Sequence, residues 1–325
     1  MEERQVRFSI IIPAYNARST IRDCVDSVLR EFGNGHQIVV VDDGCQHNCT
    51  QLVADLPVSI LKNDSTLGAG AARNRGISQA EHDWMLFVDA DVIIKFGTNR
   101  VLQLAIREFP DDVSFGSISD IIPANSGLFQ EFLACRAHFQ YASGPQYSTA
   151  FPSQLVAVRK DVFDCVGLFS EKYVSSGGEE FEMGNRLSQS GIRTRILPDF
   201  QFYHVYAAFG KRFKKYFYRS KIFFRLFKVH GQFESVIASL METIRSLYTL
   251  FGLLGFFLFP SIPYLIGYLI IYLLLDQRFY RFLIKRKGIA FAVYAAAMNF
   301  VVFLAIALGG IVAAVQDIWN SLLKR

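Results

Sequence analysis

The chain has 325 residues, 34 Lys and Arg against 29 Asp and Glu for a formal net charge of +5, and a 51% hydrophobic composition with 31 phenylalanines. Such a length holds one α/β domain of about 200 residues with something added. A mean hydropathy of +0.24 excludes a disordered chain and is high for a wholly soluble one. The apolar excess lies at the C-terminal end, where Ser246 to Leu275 and Gly288 to Val315 contain no charged residue.

Phe8 to Ile12 is a continuous β-branched run ended by Pro13, the pattern of a strand covered on both faces. No secretory signal precedes it, because Met1 to Arg7 is short and charged, so the N-terminal domain is expected in the cytosol. Arg18 to Phe32 reads as a helix with Ile21, Val25, Val28 and Leu29 on one stripe. A second strand spans Gln37 to Val41, a short helix Asn48 to Leu56, a third strand Val58 to Leu61, a helix Gly70 to Ala80, and a fourth strand Trp84 to Val88. Alternation at this spacing predicts an α/β fold with a mostly parallel, Rossmann-like sheet and helices on both faces. Beyond it the reading gives a helix near Thr98 to Glu108, strands near Val113 to Ile118 and Gln154 to Val158, a helix Glu179 to Ser190, and a strand Ile192 to Leu197. Ile118 to Pro152 is poorly patterned.

The five cysteines, Cys24, Cys45, Cys49, Cys135 and Cys165, are odd in number and lack a scaffold spacing, as in a reducing compartment. Cys45, His47 and Cys49 have no second ligand pair at finger-like spacing and are not read as a zinc site.

After residue 208 the character changes. Lys211, Arg212, Lys214, Lys215, Arg219, Lys221, Arg225 and Lys228 run without an acid and alternate with Phe209, Phe213, Phe217, Phe223, Phe224 and Phe227. A helix would separate rings from cations, which predicts an amphipathic interfacial helix with its rings in the acyl boundary and its cations on anionic headgroups. A membrane segment follows closely, so a membrane surface is preferred to nucleic acid as the partner. Residues 1–208, 209–235 and 236–325 are thus expected as catalytic domain, interfacial segment and membrane domain. If each apolar run crossed once, Arg278, Arg281, Lys285, Arg286 and Lys287 would lie on the far side, against the positive-inside rule. A break at Pro260 and Pro263, making residues 246–275 part of a hairpin or re-entrant pair, removes the conflict and leaves 288–315 as a separate span.

Three polar strand ends converge on one edge of the sheet: Pro13-Ala14-Tyr15-Asn16, Asp42-Asp43-Gly44 and Asp89-Ala90-Asp91. Carboxylates one residue apart on an extended chain point to opposite sides, so one can reach a metal while the other reaches a sugar or ribose. Hard oxygen ligands of this kind suit Mg²⁺ or Mn²⁺ on a diphosphate. With Gly70-Ala71-Ala72-Arg73-Asn74-Arg75-Gly76 and Gly178-Glu179-Glu180-Phe181-Glu182-Met183, these segments resemble the membrane-anchored bacterial-type glycosyltransferases of family 2, of GT-A fold, over roughly residues 7 to 205.

The resemblance implies a nucleotide-sugar donor flanked by Pro13, Ala14, Tyr15 and Asn16. Asp42, with Asp43 beside it, would accept from the base, Arg73 would add charge near the donor, and Asp89 and Asp91 would serve ribose and metal. Glu180 stands where the family carries its general base for the acceptor hydroxyl, with Glu179 and Glu182 supporting or hydroxyl-binding. His204 would approach the diphosphate or metal, and Lys211 and Arg212 could cover the diphosphate or contact headgroups. Gly68 and Gly70 do not complete a dinucleotide fingerprint. Trp84 and Trp319 stand in no processive-synthase motif, which favours transfer of a single sugar. The expected activity is inverting transfer to a hydroxyl of a lipid or lipid-linked glycan at the cytosolic face of the inner membrane. A polyprenyl-phosphate sugar synthase and a non-catalytic membrane scaffold are the alternatives.

Overall fold

A computed structural model describes residues 5–33, 35–173, 178–230 and 240–322. The chain divides into two units, Met1–Ser126 with Gln140–Tyr206, and Gly127–Phe139 with Ala207–Arg325. Residues 127–139 group with the C-terminal helices rather than with the sheet. The expected boundary at 235/236 lies outside the described residues.

The first unit is built on a sheet of β1 (Phe8–Ala14), β2 (Gln37–Asp42), β3 (Ser59–Lys62), β4 (Trp84–Val88), β5 (Val92–Ile94), β6 (Ser114–Ser119), β7 (Tyr147–Ser148), β8 (Leu155–Arg159) and β9 (Thr194–His204). Their order is β3-β2-β1-β4-β8-β6-β9-β5, with β7 paired to β9. The half from β3 to β4 is parallel, as the alternating pattern predicts. The sheet then becomes mixed: β8 runs antiparallel to β4 and β6, β6 and β9 are parallel, and β5 and β7 pair antiparallel with β9. Because β2 and β3 lie on one side of β1 and β4 on the other, the strand order reverses at β1, and a crevice opens at the carboxyl ends of β1 and β4.

The helices α1 (Ile21–Phe32), α2 (Ala69–Ser78), α3 (Thr98–Glu108) and α6 (Glu179–Gln189) fall where the sequence places them, within three residues at either end. Helix α1 begins later than Arg18 because the Ala17 carbonyl first accepts from Thr20 and Ile21 N–H in a turn (3.0 and 2.9 Å). The segment expected as a helix from Asn48 is a short 3-10 turn, Cys49–Val53. Elements absent from the sequence reading are β5, β7, α4 (Leu128–Ala142) and α5 (Val162–Val166). Helix α2 lies directly on the sheet at Gly76, where a Cβ would come within 2.3 Å of Ile11 Cγ2.

The second unit contains α4 up to Phe139, α7 (Phe209–His230), α8 (Leu240–Leu258), α9 (Ile262–Leu275), α10 (Gln277–Lys287) and α11 (Ile289–Leu322). The chain leaves helical geometry between α8 and α9 at Pro260, while Pro263 lies in the first turn of α9, where Ser261 Oγ caps the helix by accepting from Tyr264 N–H (3.4 Å). The two helices fold back on each other, with Tyr248 hydroxyl donating to Tyr268 O (3.1 Å) and Tyr264 hydroxyl to Gly252 O (3.0 Å). Among the described helices, Ile289–Asn320 of α11 is alone long and apolar enough to cross a membrane unaided. Helices α9 and α10 pass the same test only as a pair, bent by 76°.

Helix α7 corrects one expectation. It packs along α11 through a close crossing at Gly309, where a Cβ would meet the Phe217 carbonyl and Ser220 Oγ. Phe213, Phe217, Phe223 and Phe224 are half-buried within the unit, while Lys211, Lys214, Lys215 and Arg225 remain exposed. The ring-bearing face is therefore turned largely to protein, and the cationic side chains are the more exposed, Arg225 lying 3.7 Å from Asp317 Oδ1. The Lys228 and Phe227 side chains lie outside the described set.

Gly76→Ala inserts a methyl group where Ile11 has no room to retreat. Overpacking of this kind costs about 1–3 kcal/mol, and the melting midpoint of the full chain should fall by about 1–5 °C in a thermal scan.

Candidate functional site

Asp42 closes β2 and is 4% exposed. Its Oδ1 accepts from Cys45 N–H (2.8 Å) and its Oδ2 from Thr50 Oγ1 (2.8 Å). Each carboxylate oxygen keeps a second lone pair for a ligand N–H. Asp43, 2% exposed, turns the other way and gathers the loop before α2: it accepts from Asn63 Nδ2, Leu67 N–H and Gly68 N–H at 2.8 to 2.9 Å. Asp43 is thus bound to its own chain, while Asp42 stays at the β1 end with Pro13, Ala14 and Tyr15. Tyr15 is half-exposed, and Asn16 adopts a left-handed conformation (φ 49°) with its N–H directed at Cys45 Sγ (3.3 Å).

Cys45 and Cys49 are joined in a disulfide, which corrects the expectation of reduced thiols for this pair. Cys24 and Cys135 are free and buried, and Cys165 is free and exposed. Asp42 Oδ and the two sulfurs lie within 4.8 Å of one another. The sulfurs are bonded to each other, and His47 is not among these groups.

At the end of β4 the backbone turns as soon as the ladder stops. Asp89 N–H still donates to Gln154 O (2.9 Å), and Val92 N–H closes the turn onto Asp89 O (3.0 Å). Asp89 and Asp91 consequently diverge. Asp91 is half-exposed and lies 3.4 Å from His204 Nε2. His204, 6% exposed, arrives on β9, whose pairing with β5 sets it opposite Val92. Tyr206 packs on its ring at 4.4 Å between centroids. Asp89 turns inward to Arg73, whose Nη2 donates to Asp89 Oδ1 (2.8 Å). Burial pushes the Asp89 carboxyl up to about 6, Arg73 opposing the rise and Asp91 adding to it.

Arg73 is 2% exposed and also donates from Nη1 to Glu179 Oε1 (3.2 Å). Burial works against its charge, but Asp89, Glu179 and Glu180 outweigh that effect and hold it above the ordinary guanidinium value. Glu179 is 2% exposed and accepts from Gly178 N–H through Oε2 (3.1 Å), while Glu180, next on the first turn of α6, is partly open. Glu182 accepts from Arg186 Nε and Nη2 (2.7 and 2.8 Å) one turn later, so its carboxylate is committed within the helix. Lys211 and Arg212 belong to the helical unit, where the Arg212 guanidinium lies over the Tyr216 ring.

The structure thus joins Asp89, Arg73 and Glu179 directly and sets Asp91 beside His204. An open carboxylate next to an imidazole is a pair of groups that suits Mg²⁺ or Mn²⁺, while Asp89, turned onto Arg73, does not gather with them into one ligand cluster among the described residues. Sequence reasoning missed Tyr206, Asn74 and Phe169. Asn74 Nδ2 donates to Phe169 O and Phe169 N–H to Asn74 Oδ1, both at 2.9 Å, which fixes the loop ahead of α6. The Arg73-Asn74 pair was the available signal, because two adjacent polar residues inside a helix pattern have to be used by something buried. A cavity of about 440 Å³ lined by Asp112, Tyr147, Arg159 and Arg193 lies elsewhere, and no expected site residue lines it.

The sequence profile of Glycosyl transferase family 2 matches residues 9–167. Residues 9–167 are therefore similar to a glycosyltransferase family 2 domain. Glycosyltransferase GlyG of Streptococcus pneumoniae is 30% identical over 34% of this chain and 38% of its own length. The amylovoran biosynthesis glycosyltransferase AmsB of Erwinia amylovora is 24% identical over 65% of this chain and 74% of its own. The chain therefore spans less than half of the first of these relatives. Mannosyltransferase PcManGT from Pyrobaculum calidifontis, solved with GDP-Man and Mn²⁺, superimposes with a TM-score of 0.57 at 14% identity over 98% of this chain and 88% of its own, which shows the GT-A fold.

Asp43→Ala would leave the Asn63, Leu67 and Gly68 donors without their acceptor. Unsatisfied buried donors cost about 1–3 kcal/mol each before relaxation. Hydrogen exchange at Leu67 and Gly68 should accelerate at least tenfold, by the order of one such bond, while exchange in β4 stays near wild type.

Proposed function

We propose that this chain transfers one sugar, with inversion, from a nucleotide-sugar donor to a hydroxyl of a lipid or lipid-linked glycan at the cytosolic face of a membrane, with a divalent cation. One observation carries the reading: the Asp91–His204 corner at the end of β4 and Glu180 on α6 are tied to a single buried arginine through their neighbours Asp89 and Glu179. A donor-side anion site and an acceptor-side carboxylate in one crevice are what a single displacement requires.

Pro13, Ala14 and Tyr15 flank the base, and Asp42 accepts from its ring N–H. Asp89 serves the ribose, and Asp91 with His204 would hold Mg²⁺ or Mn²⁺. Once bound, the cation offsets charge on the leaving diphosphate as a Lewis acid. Glu180 takes the proton of the acceptor hydroxyl as that oxygen bonds to the anomeric carbon and the bond from that carbon to the diphosphate breaks. Attack opposite the leaving group inverts the centre. The nucleotide-sugar and Mn²⁺ held by the mannosyltransferase of like fold support the donor and cation classes.

Support for the membrane comes from the second unit. Helix α11 would extend about 50 Å at 1.5 Å per residue, against a hydrocarbon core of about 30 Å. The exposed Lys211 and Lys214 of α7 suit anionic headgroups. A lipid acceptor would present its hydroxyl there.

The test is transfer from a panel of labelled nucleotide-sugars to membrane lipid extract by the full chain in lipid nanodiscs with Mn²⁺. Glu180→Gln should lower kcat by about 10²–10⁴-fold with nucleoside diphosphate affinity little changed. A product cleaved by mild acid, as a sugar on a phosphate acceptor would be, argues for the polyprenyl-phosphate synthase instead. Wild-type turnover in Glu180→Gln rejects it as the base.

A further inference from the structure

We propose that Glu179 is a positioning residue for the cation site, acting through Arg73, and that it takes no proton from the acceptor. The inference deepens the function proposed above and rests on it.

Two adjacent glutamates open α6, and their surroundings differ. Glu179 is 2% exposed, with one oxygen on Arg73 Nη1 (3.2 Å) and the other on Gly178 N–H (3.1 Å). Both oxygens point into the protein, where an acceptor hydroxyl cannot reach them. Glu180 is the more open of the two. The Arg73 guanidinium meets two carboxylates, Asp89 on Nη2 and Glu179 on Nη1, and its buried Nε has no hydrogen-bond partner among the described residues. Its charge is therefore divided between the donor-side carboxylate and the first residue of the acceptor-side helix.

That division has a consequence for the cation. Asp89 stands two residues from Asp91 and can serve ribose or metal only to the extent that Arg73 does not claim it. Glu179 draws part of the guanidinium's charge away from Asp89 and adds a negative charge behind it. Removing the Glu179 charge leaves Asp89 as the carboxylate hydrogen-bonded to Arg73, with Glu180 still acting through its charge, and makes the corner more positive by one unit. Cation binding should weaken, while the proton transfer at Glu180 is left intact.

The experiment measures Mn²⁺ binding to the full chain in nanodiscs with a saturating nucleoside diphosphate, from the free-Mn²⁺ electron paramagnetic resonance signal, alongside turnover. In Glu179→Gln, which keeps the acceptor for Gly178 N–H, the Kd for Mn²⁺ should rise about tenfold, the scale of one partly screened buried charge. The kcat at saturating Mn²⁺ should return to within about threefold of wild type, a fraction of the loss given by removal of a general base. Glu180→Gln should show a lowered kcat that saturating Mn²⁺ does not restore. A wild-type Mn²⁺ affinity in Glu179→Gln overturns the inference, as does a loss of kcat that saturating Mn²⁺ does not restore. Should that variant fail to fold, Glu179→Asp carries the test: a shifted Kd with wild-type kcat is expected, and a wild-type Kd with lowered kcat overturns it. A wild-type chain that binds Mn²⁺ with no nucleoside diphosphate and hydrolyses no donor overturns the proposed function itself, an outcome distinct from any Glu179 result.

Discussion

A guanidinium that is 2% exposed constrains everything around it. A charge taken out of water is tolerated only where opposite charges and hydrogen bonds meet it. Arg73 meets them on β4's exit, at Asp89, and on α6, at Glu179. Helix α2 must therefore lie against the carboxyl end of the sheet while α6 delivers its first turn to the same point, and Gly76 permits the first of these. Asn74, one residue along, holds Phe169 by a reciprocal pair of backbone bonds. Phe169 in turn lies beneath Arg73 and packs edge-on against Phe87 of β4 and at an angle against Phe163. The apolar core under the sheet and the charged corner above it are consequently one mechanical object.

The parts of this arrangement that were legible in the sequence are those set by local pattern. Strands β1, β2 and β4 are near-continuous apolar runs because both faces are covered, and each stops at a polar cluster that turns the chain. Asp42 and Asp43 illustrate where pattern runs out. They are adjacent and equally buried, yet one remains beside the β1 end and the other is consumed by the loop at residues 63–68. Alternation along a strand tells that they diverge; it does not tell which side carries the ligand. The Glu179 and Glu180 pair is ambiguous in the same way, since an acidic first turn suits a helix N-terminus whatever lies in front of it.

Longer-range pairing explains the larger misses. The sequence reading ends a strand at Leu197, just before Pro198, but β9 continues to His204. The register between β6 and β9 shifts after the Gly116–Ile196 pair and resumes at Ile118–Gln201, so the proline sits in the irregular stretch, where no ladder bond is asked of it. Only this continuation brings His204 alongside β5 and Asp91. The three residues of β5 are too few to show a period, and the Cys45–Cys49 pairing is a matter of loop closure that cysteine counting does not address.

The helical unit raises the same question with charge in place of register. Its buried polar residues include Glu242 on α8, Asn299 on α11, and Asp276 between α9 and α10. Arg245 pairs with Asp276 (3.0 Å), and Asn299 Nδ2 donates to Asp276 Oδ2 (3.1 Å), all within the C-terminal helices. The arginine on Glu242 is Arg136, which also donates to Asn299, and it is supplied by α4, a segment that the sequence inserts between β6 and β7. Two arginines and two carboxylates balance, and the balance fails if either arginine is withdrawn. A carboxylate left alone among apolar helices costs several kcal/mol, more so at membrane depth. The second unit is therefore not the C-terminal tail that hydropathy marks out. Its electrostatic closure draws on a helix from the middle of the catalytic sequence, and a chain cut at residue 208 would separate Glu242 from the residue that neutralises it.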